Sequence, residues 1–303
     1  MDVISVLEIN YNNYGRCLKI TNNVVEVIVT LDYGPRIIKY GYFDGINHFA
    51  EGIDRKIITS HGEYFVIGGH RFWHLPENED RTYIPDNHQV EYEQIENGVR
   101  FIQEIEKWTQ VQKIIEITFE YSSTKVNVAH KLVSLNAFDI NVGICGITAV
   151  ERGGIEVIPL SKKSDGILPN RALVFWPYSN MKDSRVYYGD KYIAMKVCEN
   201  ISSNFKIGMN SNLSYALYFN KNELFVKEFK RNKDESNYPN MGCSYESLIS
   251  NDYLEMQTNS PICSLKTNNS IEHVEIWSLY KDVNLDFIDT FIDNYNEINS
   301  LVN

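Results

Sequence analysis

Short β-branched runs separated by turn residues recur along almost the whole chain, and that rhythm restricts the fold more than any other feature. Val24 to Leu31 is β-branched and partly alternating; Asp32-Tyr33-Gly34-Pro35 interrupts it and Arg36 to Tyr42 resumes it. Gln89 to Glu93 and Val99 to Ile105 flank Glu96-Asn97-Gly98, a hairpin signal. Ile114 to Phe119 and Lys125 to Val133 pair across Tyr121-Ser122-Ser123. Ile140 to Val150 is nearly unbroken apolar sequence, too short to span a membrane, and reads as a central strand ended by Arg152-Gly153-Gly154. Further strands are expected at Tyr192 to Val197, Leu213 to Phe219, Leu224 to Phe229, Ser244 to Ser250, Tyr253 to Thr258 and Ile271 to Tyr280. Only the tail, Asn284 to Val302, has helical spacing, with Leu285, Ile288, Ile292, Tyr295 and Ile298 about one turn apart.

Strands on this scale predict a mainly β fold, a large antiparallel β-sandwich with few helices. One domain over residues 1–303 is expected, with a split near Gly153-Gly154 as the alternative. Hydrophobic residues make up 43% of the chain and charged residues 23%, enough apolar material for a core. The 20 tyrosines suit strands and polar binding surfaces better than long helices.

A formal net charge of −11, with no basic run to offset it, argues against nucleic acid or an anionic membrane as partner. The five cysteines lack any metal-ligand spacing and read as reduced thiols of a cytoplasmic protein. The acidic start, Met1 to Asn10, has neither the basic nor the apolar part of a signal peptide. No cofactor or metal is expected.

Chemistry concentrates in Gly68-Gly69-His70-Arg71-Phe72-Trp73-His74-Leu75-Pro76-Glu77. The paired glycines allow a tight bend or a close backbone approach. Arg71 can make bidentate hydrogen bonds, His70 and His74 can exchange protons near neutral pH, and Trp73 offers a flat apolar face of the kind that stacks on a sugar ring or a base. The functional reading sets these residues on a glycine-led loop over a rigid scaffold.

Further motifs carry a resemblance. Leu31-Asp32-Tyr33-Gly34-Pro35, Leu254-Glu255-Met256-Gln257-Thr258-Asn259-Ser260-Pro261 and His273-Val274-Glu275-Ile276-Trp277 are similar to early, late and final segments of the galactose mutarotase-like superfamily. Gly69 to Glu77, Trp176-Pro177-Tyr178, Lys206-Ile207-Gly208 and Tyr238-Pro239 resemble an uncharacterised bacterial branch of it. The resemblance implies a very large β-sandwich and a small-molecule carbohydrate ligand.

In that superfamily an aldose ring is opened and closed by a glutamate base and a histidine acid, which requires both within hydrogen-bond reach of the sugar. The resemblance assigns the base to Glu255 and the acid to His74 or His70. It gives substrate contacts to Arg71, Trp73, Trp176, Lys206 and Tyr238, and predicts that His70, Arg71, His74 and Glu255 line one cleft. The central strand, where the family places its acid histidine, reads Asn136 to Thr148 here and holds none; Cys145 and Gly146 occupy that neighbourhood. Two functions therefore stand: a sugar isomerase of the aldose 1-epimerase kind, and a non-catalytic carbohydrate-binding protein that keeps the cleft.

Overall fold

A computed structural model describes residues 4–162, 166–198, 200–230 and 237–302. Two large antiparallel sheets face each other, one of 11 strands and one of 10. The centre of the first is the trio His70–Leu75, Ile140–Val150 and Leu254–Asn259, with Ile140–Val150 between the other two. The centre of the second is Glu223–Phe229, Ser270–Lys281 and Val126–Ser134. The architecture is the antiparallel sandwich that the alternation of strands and turns predicts.

Burial along the strands follows their place in the sheets. Val111–Phe119 and Val126–Ser134 alternate between buried and half-buried residues, as expected for strands with one face on the core and one toward solvent. The central strands His70–Leu75 and Leu254–Asn259 are buried at every position, because both of their faces are covered. Between the sheets lies the main core, where Phe72, Ile144 and Met256 meet Val128, Phe225 and Trp277. That core draws on residues from both sides of Gly153-Gly154. Truncating a ring such as Phe72 to alanine there costs about 3–5 kcal/mol.

The outer face is covered by a hairpin, Arg55–Thr59 with Gly62–Val66. Its Tyr64 and Val66 pack on Trp73, Leu75, Cys145 and Ile147, forming a second apolar layer over the sheet centre.

The C-terminal tail forms a short 3₁₀ turn, Leu285–Phe287, and a helix, Ile288–Val302. Asn284 caps it by accepting from the Asp286 amide, while Ile288 and Ile292 pack on Leu217, Leu224 and Val226. The side chain of Ile298 lies outside the described residues. The strand expected from Leu213 starts instead at Tyr215, since Ser214 takes a φ of 58°, which breaks extended backbone. Among the described residues no helix is long and apolar enough to cross a membrane.

Candidate functional site

The glycine-led cluster is not a loop. Gly68 and Gly69 adopt φ of 93° and 65°, and a Cβ on them would come within 2.2 Å of the Ala50 carbonyl and 2.3 Å of the Ile37 carbonyl. Those contacts explain the glycine pair: it lets two neighbouring backbones close on the chain. Immediately afterwards His70–Leu75 enters the sheet, pairing along Ile140–Val150 with Arg71 opposite Ile147 and His74 opposite Ile144. Side chains of a strand alternate between its faces. Arg71, Trp73 and Leu75 therefore point outward, and His70, Phe72 and His74 point into the sandwich.

On the outward side Arg71 and Glu255 meet across the middle strand. Arg71 Nη2 donates to Glu255 Oε1 at 2.9 Å, and Gln257 Nε2 donates to Glu255 Oε2 at 2.7 Å. The guanidinium also lies 4.8 Å from the centre of the Trp73 ring. Burial works against the Arg71 charge, yet the Glu255 carboxylate outweighs it and holds the guanidinium above its ordinary pKa. Arg71 Nε and Nη1 are buried and hydrogen-bond to no described residue. These groups border a cleft of about 330 Å³, into which Trp176, Tyr178 and Lys206 also face. Lys206 Nζ sits 4.3 Å over the Trp176 ring and pairs with Glu246 at 2.6 Å. Between Arg71 and Glu255 the middle strand contributes only Cys145, Ile147 and Ala149 to this face.

The histidines are elsewhere, which corrects the expectation that they share the cleft. His70 belongs to a buried polar network between the sheets. One proton arrangement satisfies all of its members. Lys227 Nζ donates to Thr148 Oγ1 (2.8 Å), the Met256 carbonyl (2.9 Å) and Glu275 Oε1 (3.1 Å). The Thr148 hydroxyl donates to His70 Nδ1 (2.8 Å), His70 Nε2 to His130 Nε2 (2.6 Å), and His130 Nδ1 to the His273 carbonyl (2.9 Å). His273 Nε2 donates to Thr258 Oγ1 (2.8 Å), whose hydroxyl closes on Glu275 Oε1 (2.5 Å). Trp277 Nε1 takes the other Glu275 oxygen at 2.8 Å.

All three imidazoles are neutral in that arrangement, and burial pushes each of them down, His273 to about 3. Burial opposes the Glu275 charge as well, but the Lys227 ammonium outweighs it and keeps the carboxyl well below its usual range. Nitrogens of His70 and His130 and an oxygen of Glu275 lie within 4.8 Å of one another, close enough to share a metal ion. Lys227 already supplies the cation there.

His74 faces the same interior near the C-terminal end of the strand, its Nε2 3.6 Å from Glu106 Oε2. Burial opposes the Glu106 charge, but Lys113 at 2.7 Å and His74 bring that carboxyl down to about 2. Burial holds the His74 imidazole below its ordinary value.

No family model and no curated protein matches the chain. Solved structures do. A TPR-domain containing protein from Parabacteroides distasonis aligns over 89% of this chain and 48% of its own, at 12% identity and a TM-score of 0.62. This chain thus spans about half of that one. A candidate aldose 1-epimerase from Klebsiella pneumoniae aligns over 92% of this chain and 84% of its own, at 10% identity and a TM-score of 0.58. A galactose mutarotase-like protein from Lactobacillus casei aligns over 87% of this chain and all of its own (100%), at 7% identity and a TM-score of 0.54. The chain has the galactose mutarotase-like fold. At such identities the likeness is one of architecture, and the site has to be argued from its own residues.

Within this mutarotase-like sandwich, Arg71, Trp73, Trp176, Lys206 and Glu255 converge on one cleft from four separate stretches of sequence. Tyr238 does not border it; it is buried beside the Pro239–Gly242 turn. Sequence reasoning passed over Arg55, Tyr83, Asn204 and Tyr253, which border the cleft as well. Arg55 comes from the covering hairpin, and no motif announced it. Tyr253 was legible as part of a strand two residues before Glu255. It lies on the same face as Glu255 and Gln257 by alternation alone.

Proposed function

We propose that this chain is a carbohydrate-binding protein whose recognition unit is the Arg71–Glu255 pair at the floor of the cleft. The observation that carries the reading is the state of that pair. Arg71 spends one N–H on Glu255 and keeps Nε and Nη1 without a partner among the described residues, at the wall of a cavity. Each carboxylate oxygen of Glu255 accepts one hydrogen bond from the protein and has a second lone pair to offer. A donor and an acceptor side by side match the hydroxyl groups of a sugar, each of which both donates and accepts. Trp176 and Tyr178 add ring surface for the apolar face of the pyranose.

Aldose 1-epimerase-like chemistry is the second reading, supported by a carboxylate, Glu255, at the cleft wall. Its acid would have to be Lys206 or one of the cleft tyrosines, because no histidine borders the cleft among the described residues. Titration of the protein with neutral, acidic and phosphorylated aldoses, alongside anomer exchange followed by polarimetry, separates the readings. Binding without acceleration above buffer is expected, with affinity lost in Arg71→Ala. Acceleration that falls about 10²–10⁴-fold in Glu255→Gln, with affinity little changed, would establish the second reading instead. A protein that binds none of these sugars refutes both.

A further inference from the structure

The cleft is not isolated. A larger cavity of about 1060 Å³ adjoins it, and Arg55, Asn204 and Tyr253 line both. The two meet at a shared wall, a sill where Arg55 Nη1 reaches the Tyr253 hydroxyl at 3.4 Å. A cavity of a few hundred Å³ suits one small ligand, so the 330 Å³ cleft is already sufficient for a single sugar ring. The adjoining groove has room for several more.

The groove's chemistry restricts what fills that room. Ser202, Asn204, Ser250 and Asn251 line it with hydroxyls and amides, and Phe49 and Tyr253 add aromatic surface. Part of its formal charge is engaged by the protein's own side chains. Glu151 pairs with Lys221 at 3.5 Å. Glu51 accepts from the Tyr11 hydroxyl (2.9 Å), Asn12 Nδ2 (3.0 Å) and Asn47 Nδ2 (2.6 Å). The acidic residues on the wall (Glu51, Asp54, Glu151, Asp252) outnumber the basic ones (Arg55, Arg152, Lys221), which disfavours an anionic chain. An apolar ligand would bury those amides and hydroxyls without partners, at a cost in binding.

We propose that the ligand is a neutral oligosaccharide. Its terminal residue occupies the Arg71–Glu255 cleft, and the following residues cross the Arg55–Tyr253 sill into the groove. This inference rests on the carbohydrate reading of the cleft and adds the chain length and charge of the ligand.

Calorimetric titration tests it with three neutral series, maltotetraose, cellotetraose and xylotetraose, each against its monomer, glucose or xylose. In at least one series the tetramer is expected to bind ten or more times tighter than the monomer. Asn251→Trp, which places an indole in the groove at an exposed loop position, should abolish that gain and leave monomer affinity unchanged. Ser202→Trp is a second obstruction, and a wild-type circular dichroism spectrum and melting point show that each variant is folded. Equal affinity for monomer and tetramer, or a gain that survives both obstructions, overturns the groove while leaving the cleft reading intact. Failure of every sugar, monomers included, overturns the two together.

Discussion

The two faces of the strand His70–Leu75 carry polar networks that differ in one respect. The inward network around Glu275 is closed: Lys227, Thr148, three imidazoles, Thr258 and Trp277 use one another's donors and acceptors completely. The outward network around Glu255 is open, with two Arg71 nitrogens unspent. Both contain a buried carboxylate beside a buried cation. Burying such a pair is tolerable only when its hydrogen bonds are made, so a closed network acts as structure. An open one at a cavity wall is suited to receive a ligand. Residue type alone could not have told them apart, since histidine, arginine and glutamate are equally at home in either.

Breaking the closed network should produce the largest effect on stability. Glu275→Gln leaves the Lys227 ammonium unpaired in a dry interior, for which about 3–5 kcal/mol of lost unfolding free energy is expected. Urea denaturation measures it; a loss under about 1 kcal/mol would mean the interior is wetter and more adaptable than the hydrogen bonding indicates. Gly146→Ala probes the same point without touching charge. Its Cβ would lie 2.3 Å from Glu275 Oε1, so overpacking should cost about 1–3 kcal/mol.

Acid should act on the inward face next. His70, His130 and His273 have folded pKa values below the unfolded value, so the unfolded chain binds more protons once pH falls below about 6.5. Their stability contribution is complete above that pH and is lost progressively as pH falls toward the folded values. By pH 5 each fully buried imidazole costs up to about 2 kcal/mol relative to neutrality. Glu275, lowered in the fold, adds to the loss below its unfolded pKa near 4.5. Melting temperatures between pH 7 and pH 4.5 check this, and His273→Asn should flatten the slope. A profile that stays level over that range would contradict neutral buried imidazoles.

The smallest stability effect belongs to the outward face. Glu255→Gln keeps the shape and an amide oxygen for Arg71 Nη2, and the guanidinium keeps its place against the Trp73 ring, so a loss of about 1–2 kcal/mol is expected in the same urea experiment. The comparison is sharpened when Glu255→Gln alters sugar titrations while Glu275→Gln, under conditions where it remains folded, does not. A stability loss at Glu255 equal to that at Glu275 would make the outward pair structural too.

Much of this architecture was legible in the chain. The strands, most turns and the helical tail follow from periodicities of two and 3.6 residues, which are local properties. Gly68-Gly69 signalled a close backbone approach, and the carbonyls of Ala50 and Ile37 are what approach it. Through resemblance Arg71 and Glu255 were expected in one cleft together with His70 and His74, and Trp176 and Lys206 as substrate contacts. The cleft holds the first pair and the last and not the histidines, while Arg55 and Asn204 went unseen, because loops and hairpins carry no periodic signal of where they fold back. The splitting of His70 and His74 from Arg71 was available in principle, since alternation separates them once the stretch is known to be a strand. Reading it as a loop hid that.

The sequence by itself determined that these residues form strands and that neighbours point to opposite sides, because backbone geometry fixes a period of two. Only the tertiary structure decided which side is which. The partners that close the inward face, Lys227 and Glu275, come from the opposite sheet, and the hairpin that roofs the outward face comes from residues 55–66. Neither is encoded near Arg71. Whether a polar side chain is satisfied or left open depends on what the rest of the chain brings against it, and that is settled by packing over long sequence separations.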